Sequence, residues 1–274
     1  MPTITTGPTT TTSILSLRNV SKNFGAVAAL ADISLEVAAG EVVAIVGDNG
    51  AGKSTLVKVL SGVHRPDTGS IHFEDRVVTI PNPTSALDLG IATVFQDLAL
   101  CDNLNVINNL FLGRELRAGR LDEVAMEVRS WELLRQLSAK IPSVRVPIAA
   151  LSGGQRQTVA IARSLVGKPK VIILDEPTAA LGVAQTAEVL NLVERLRENG
   201  LGVIMISHNM ADVQAVADRV VVLRLGRNNG EFRVGDVTPE TIIAAITGAT
   251  DNAVTRRTAQ TDLRTTSQPD LEIS

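Results

Sequence analysis

VVAIVGDNGAGKST, residues 42–55, is the stretch on which the fold turns. Its first five residues, Val42–Val46, are apolar without alternation, the pattern of a strand buried on both faces. Gly47, Asp48, Asn49, Gly50, Ala51, Gly52, Lys53 and Ser54 then fit the spacing G-x-x-x-x-G-K-[ST]. Leu56, Val59 and Leu60 continue at helical spacing. Strand, glycine loop and helix in register form the context that this loop requires. The glycines let the backbone curl so that successive N–H groups point at phosphate oxygens. The helix start adds its positive end. Lys53 is placed to reach the β- and γ-phosphates of a nucleotide, and the Ser54 hydroxyl to bind Mg²⁺, with Thr55 completing the phosphate-binding set.

Further runs of the same kind lie at 171–174, 203–206 and 220–223, and helical patterns separate them. Val189, Leu192, Val193 and Leu196 share one helix face, and Asn199 and Gly200 supply the stop. This alternation predicts an α/β core with ligands at the carboxyl ends of parallel strands. The run at 171–174 ends in two acids. Asp175 is the candidate for the metal and Glu176 for polarising an attacking water.

Residues 97–150 contain few strand runs and are expected to form a helical insertion. Within 122–140, Val124, Val128, Trp131 and Leu134 stand at helical spacing, and Pro142 closes the segment. Trp131 is expected to pack the core of this lobe. No internal repeat is present, so the chain holds one nucleotide-binding unit. The 274 residues, 45% hydrophobic and 20% charged, suit a globular chain with a sizeable core. A net charge of −3 and only five Phe, one Trp and no Tyr argue against nucleic acid as a partner. The single cysteine, Cys101, fits a reducing compartment and reads as a small apolar residue. No apolar run approaches the roughly 18 residues of a membrane span. Residues 1–13, rich in Thr, and the polar tail 249–274 are expected to be disordered and the former not to be a signal peptide, leaving 14–248 as the folded unit.

Residues 151–157, LSGGQRQ, carry a serine and two glycines at a helix start, the parts of a second phosphate cradle without a lysine. Taken with GDNGAGKST, Gln96 after a strand in VFQD, VIILDEPT and His208 in ISHN, they resemble the ATP-binding subunits of ABC transporters. The resemblance spans nearly the whole of 14–248. It implies a P-loop NTPase (RecA-like) core at 14–96 and 168–248, with a parallel sheet, an antiparallel β edge and an inserted α-helical subdomain at 97–167. It also implies a use for the second cradle. Two ATPase units meet head to tail, and Ser152, Gly153, Gly154 and Gln155 of one complete the ATP site around Lys53 of the other. Phe24 sits where the family places an aromatic ring against adenine. Gln96 would touch Mg²⁺ and the attacking water, and His208 the γ-phosphate and that water. His64 and His72 lack such a context and read as structural.

One departure stands out. After DEPT the family usually shows Ser-Ala-Leu-Asp, whose aspartate works across the dimer interface; here Ala179, Ala180, Leu181 and Gly182 follow. Communication between the two sites is therefore expected to differ, while Glu176 and His208 preserve hydrolysis. Several stretches, among them GDNGAGKSTLVKVLSGVHRPDTGSI and DEPTAALGV, look like the bacterial monosaccharide importers of the ribose, xylose and fructose type. That likeness implies a peripheral protein on the cytoplasmic face of the cell membrane. Its implied partners are a second copy of the ATPase, two membrane-spanning permease subunits and, indirectly, a periplasmic-type sugar-binding protein. An exporter ATPase and a soluble non-transport ABC ATPase are the alternatives. Residues 97–112 are a candidate docking surface for the membrane subunits, with internal packing of the lobe as the competing reading.

Overall fold

The computed structural model describes residues 13–118 and 120–249. The disordered tails expected from the sequence lie outside them, apart from Ser13, which already opens a strand, and Ala249. At the centre is β3 (Val42–Val46), buried at every position. Val42, Ala44 and Val46 enter one hydrophobic core, while Val43 and Ile45 enter another on the opposite face. The same division runs through β9 (Val171–Asp175), β10 (Gly202–Ile206) and β11 (Arg219–Arg224). Strands with two apolar faces must be covered on both, and the unalternating runs follow from that.

With β6 (Ile91–Val94) and β12 (Arg227–Arg233) these strands form one sheet in the order β12-β11-β3-β10-β9-β6. All pairings are parallel except the hairpin of β11 with β12. Register aligns Ile206 with both Ile45 and Asp175, so the strand ends that carry candidate residues open on one edge of the sheet.

The antiparallel part is a layer of its own. β1 (Ser13–Phe24), β2 (Val27–Ala38), β4 (Thr68–Phe73) and β5 (Arg76–Val78) form an antiparallel sheet in the order β2-β1-β4-β5. Leu15, Leu17, Ile33, Leu35 and Phe73 from this sheet share the second core with Val43, Ile45 and α1 (Lys53–Leu60). A short helix, α2 (Pro83–Leu89), leads from it into β6.

The other face of the central sheet carries α3 (Val106–Phe111), α4 (Glu123–Gln136), α5 (Gly153–Ser164), α6 (Val183–Glu198), α7 (Met210–Val216) and α8 (Pro239–Thr247). A minimal hairpin, β7 (Arg117–Ala118) with β8 (Arg120–Leu121), precedes α4. The insertion is thus helical, as its sequence predicts, but α4 is turned from the expected face. Val124 and Val128 are 72% and 55% exposed, whereas Met126, Ser130, Leu133 and Leu134 are buried. Ser130 is tolerated there because its hydroxyl donates to the Met126 carbonyl at 2.7 Å. Trp131 packs partly buried against the same core. The helix ends before Pro142, at Leu137, where Ser138 takes a left-handed conformation (φ 53°). On α6, by contrast, Val189, Leu192, Val193 and Leu196 are buried as the spacing predicts, and Asn199 caps its end.

Candidate functional site

The loop between β3 and α1 is shaped by close approach. A Cβ on Gly47 would lie 2.3 Å from the Leu223 carbonyl oxygen, and one on Gly52 2.7 Å from that of Ala29. Gly52 also sits at φ 106°, where side chains are strained, and begins α1. Lys53 is buried and donates from Nζ to the carbonyls of Gly47 at 2.7 Å and Asp48 at 3.0 Å. An ammonium has three N–H bonds, so one is left for an anion over the loop. The Asp48 side chain accepts from the Asn49 N–H at 2.7 Å and stiffens the turn. Asn49, Gly50, Ala51, Gly52, Lys53, Ser54 and Thr55 line a cleft of about 240 Å³ with Glu176, Ile206 and Val27–Ala29 of β2.

Glu176 enters this cleft through an uncommon backbone. It adopts φ 50°, the left-handed region, directly after β9, and its N–H donates to the Ile206 carbonyl at 3.0 Å. The turn aims its side chain at His208, whose Nδ1 lies 3.1 Å from Oε1. The carboxylate offers only acceptors, and Nδ1 is the ring nitrogen that faces it. Asp175 is half-buried at the strand end. Burial, then the neighbouring Glu176, push its carboxyl above the usual aspartate range, while Lys53 and Lys58 pull the other way. Among the described residues no three His, Cys, Asp or Glu side chains cluster as a metal site of their own. Asp175 with the Ser54 hydroxyl suits an Mg²⁺ whose remaining oxygens come from a nucleotide and water.

LSGGQRQ stands apart from that cleft and does not line it. Ser152 caps α5: its Oγ accepts the Gln155 N–H at 3.3 Å, and Gln155 Oε1 accepts the Ser152 N–H at 3.0 Å. The Ser152 hydroxyl proton remains free for an acceptor. Gln155 is committed within the chain, since its Nε2 donates to the Lys140 carbonyl at 3.1 Å. The glycines have a packing role beside any role toward phosphate. A Cβ on Gly153 would come within 3.1 Å of Leu181 Cδ2, and one on Gly154 within 3.2 Å of Gln185 Cβ. The LSGGQRQ turn thus rests on Leu181 and on Gln185 of α6. There Gly182 begins α6, its N–H donates to Gln185 Oε1 at 3.3 Å, and open space surrounds the position of its missing side chain.

Residues 30–179 match the ABC transporter family. This chain belongs to that family. The cassette is 47% identical over 215 residues to the xylose/arabinose import ATP-binding protein XylG of Sulfolobus acidocaldarius, covering 78% of this chain and 86% of that protein. It is 42% identical over 245 residues to the fructose import ATP-binding protein FrcA of Rhizobium meliloti, covering 86% and 94%. Among solved structures it resembles the dimeric structure of MJ0796, a bacterial ABC transporter cassette, with a TM-score of 0.69 at 26% identity over 80% of this chain and 98% of that one.

Gln96 and Phe24 of this ABC cassette do not line the phosphate cleft either. Gln96 is exposed just beyond β6. Phe24, 45% exposed at the end of β1, pairs across the strand turn with Val27, which does line the cleft. His64, read as structural, meets the Phe24 ring edge-on at a centroid distance of 5.1 Å, and Lys22 Nζ lies 5.6 Å from the same ring. His72 bonds to Ser70 Oγ at 3.0 Å, away from the site. After Gln96 the chain is held by α5: Arg163 donates to the Leu98 and Ala99 carbonyls, both at 2.7 Å. Of residues 97–112, Val106, Ile107, Leu110 and Phe111 are buried in the lobe, as internal packing requires. Phe95 and Leu112, 39% and 50% exposed, border a groove of about 250 Å³ with Leu98, Arg114 and Arg163.

Proposed function

We propose that this cassette is the ATP-hydrolysing subunit of an importer that moves a monosaccharide through separate membrane subunits. The observation that carries the ATPase reading is the placement of Glu176. Its carboxylate borders the cleft that holds Lys53 and lies 3.1 Å from His208 Nδ1. Lys53 and the first turn of α1 bind the phosphates, Ser54 and Asp175 hold Mg²⁺, and Glu176 takes a proton from the attacking water. Mg²⁺ supplies charge neutralisation at the phosphate oxygens. His208 contacts the γ-phosphate and the attacking water, and Gln96 senses the γ-phosphate at the start of the helical lobe. Phe24 carries adenine at the rim, beside Val27.

Ser152 and the turn that it caps serve the ATP of a second copy, which accounts for a cradle with no lysine of its own. A dimeric cassette among the similar structures supports that arrangement. Among the described residues no helix is long and apolar enough to cross a membrane, so permease subunits supply the path. The groove at Phe95, Leu98 and Leu112 receives a helix from one of them, and the cassette works at the cytoplasmic face. Relatives that are sugar-import ATP-binding proteins support a monosaccharide as cargo.

The test is phosphate release from Mg-ATP by the purified chain, with Glu176→Gln alongside. A loss of about 10²–10⁴ in rate is expected, the size of a general-base contribution. Equal rates would remove Glu176 from this role. For the cargo, cells lacking the chain are expected to lose uptake of a labelled pentose or hexose and regain it with the wild type but not with Glu176→Gln.

A further inference from the structure

Beneath the catalytic pair lies a side chain that the motifs do not include. Asp212, in the first turn of α7, is only 4% exposed. Its Oδ2 accepts the Thr178 hydroxyl at 2.6 Å, and its Oδ1 accepts Asn209 Nδ2 at 3.0 Å. Among the described residues it has no ion-pair partner. A buried carboxylate is costly unless its oxygens are satisfied, and a short bond to an ionised acceptor is among the stronger hydrogen bonds. Thr178 stands two residues after Glu176, and Asn209 directly follows His208. One carboxylate therefore grips both turns that carry the catalytic pair.

We infer that Asp212 is a positioning residue that fixes the spacing of Glu176 and His208 through Thr178 and Asn209. The inference rests on the proposed roles of that pair. Glu176 leaves β9 in a left-handed conformation, and the turn after it holds a second left-handed residue, Ala180 (φ 58°). Within that turn the Ala179 N–H donates to the Glu176 carbonyl at 3.1 Å. Such a turn keeps its shape only where its surroundings over-determine it. Toward β10 and α7 it is fastened by the Glu176 N–H on the Ile206 carbonyl and by Thr178 on Asp212. On the other side, the Asn209 N–H donates to Ser207 Oγ, and Asn209 Oδ1 caps the Ala211 N–H, both at 3.0 Å. Asn209 is thus rigid enough to transmit the grip to His208. Loosening it leaves the phosphate loop intact and misplaces the groups that act on water, so turnover falls while ATP affinity holds.

The test compares Thr178→Val, which keeps shape but removes the hydroxyl, with Thr178→Ser, which keeps the hydroxyl. Asn209→Ser is the second variant: it retains a helix-capping oxygen and drops the donor to Asp212. Rates are measured well below each variant's melting temperature, beside equilibrium binding of a fluorescent ATP analogue and a Glu176→Gln control. Thr178→Val and Asn209→Ser are expected to lower kcat about tenfold with KM and analogue affinity within about twofold, and Thr178→Ser to stay near wild type. Wild-type kcat in both Thr178→Val and Asn209→Ser would overturn the inference. So would losses in which kcat, affinity and melting fall together and Thr178→Ser gives no rescue. A Glu176→Gln protein that still turns over normally would instead overturn the reading of the catalytic pair, on which this inference stands.

Discussion

Asp175 shows what the site costs the fold. The folded chain holds its proton more tightly than an unfolded chain would, because burial and Glu176 disfavour the charge. Stability therefore falls as pH rises from the ordinary aspartate value through the raised one. Asp175→Asn is expected to raise the melting temperature of the nucleotide-free protein at pH 7 and to weaken Mg-ATP binding. Scanning calorimetry with and without Mg-ATP checks both; a lower melting temperature without nucleotide would refute the account of Asp175. Much of the site at this scale is legible in sequence, since Lys53, Ser54, Asp175 and Glu176 sit in contiguous motifs. The Thr178–Asp212 bond is not. Its partners are 34 positions apart, and no local spacing announces a contact made by the approach of two loops. Gln155 is a related case, because its Lys140 partner stands 15 positions earlier, outside the motif.

At the scale of elements, α5 joins the LSGGQRQ turn to the segment that follows Gln96. Its N-terminus carries Ser152 as cap, and near its other end Arg163 holds the carbonyls of Leu98 and Ala99 beyond Gln96. The guanidinium is partly desolvated there, which lowers its pKa, yet it stays charged at any physiological pH. Arg163→Met is expected to destabilise the cassette by about 1.5–3 kcal/mol, the range for hydrogen bonds to a charged group. It should also speed amide exchange in 97–101 with little change in ATP affinity. Exchange confined to other segments would contradict that role. Periodicity located α4 but misplaced its face, because Val124 and Val128 are apolar yet point outward, while Ser130 is polar and buried. β1 and β2 are hard to read for a different reason. Their pairing is interrupted by repeated register shifts, so β1 does not alternate and β2 does so only over Ile33, Ser34, Leu35, Glu36 and Val37. The central strands are legible because both their faces are buried.

For the whole molecule, the proposed pairing of two copies turns on the surface around Ser152 and Gly182. Gly182 stands where the family resemblance leads one to expect an aspartate, and the space around it is open. Gly182→Asp is expected to fold with at most a few tenths of a kcal/mol of added stability from helix capping. Any change in ATP-dependent self-association would then report on contacts between copies, and sedimentation of the variant measures it. Val183, 91% exposed beside Gly182, belongs to the same surface. The measurement that bears most directly on the account is sedimentation velocity of Glu176→Gln with and without Mg-ATP. It should sediment as a monomer alone and as a dimer with Mg-ATP, and the dimer should vanish when Ser152→Ala or Lys53→Ala is added. A protein that binds Mg-ATP yet remains a monomer, or a dimer indifferent to Ser152 and Lys53, would contradict the claim that LSGGQRQ completes a neighbouring copy's site.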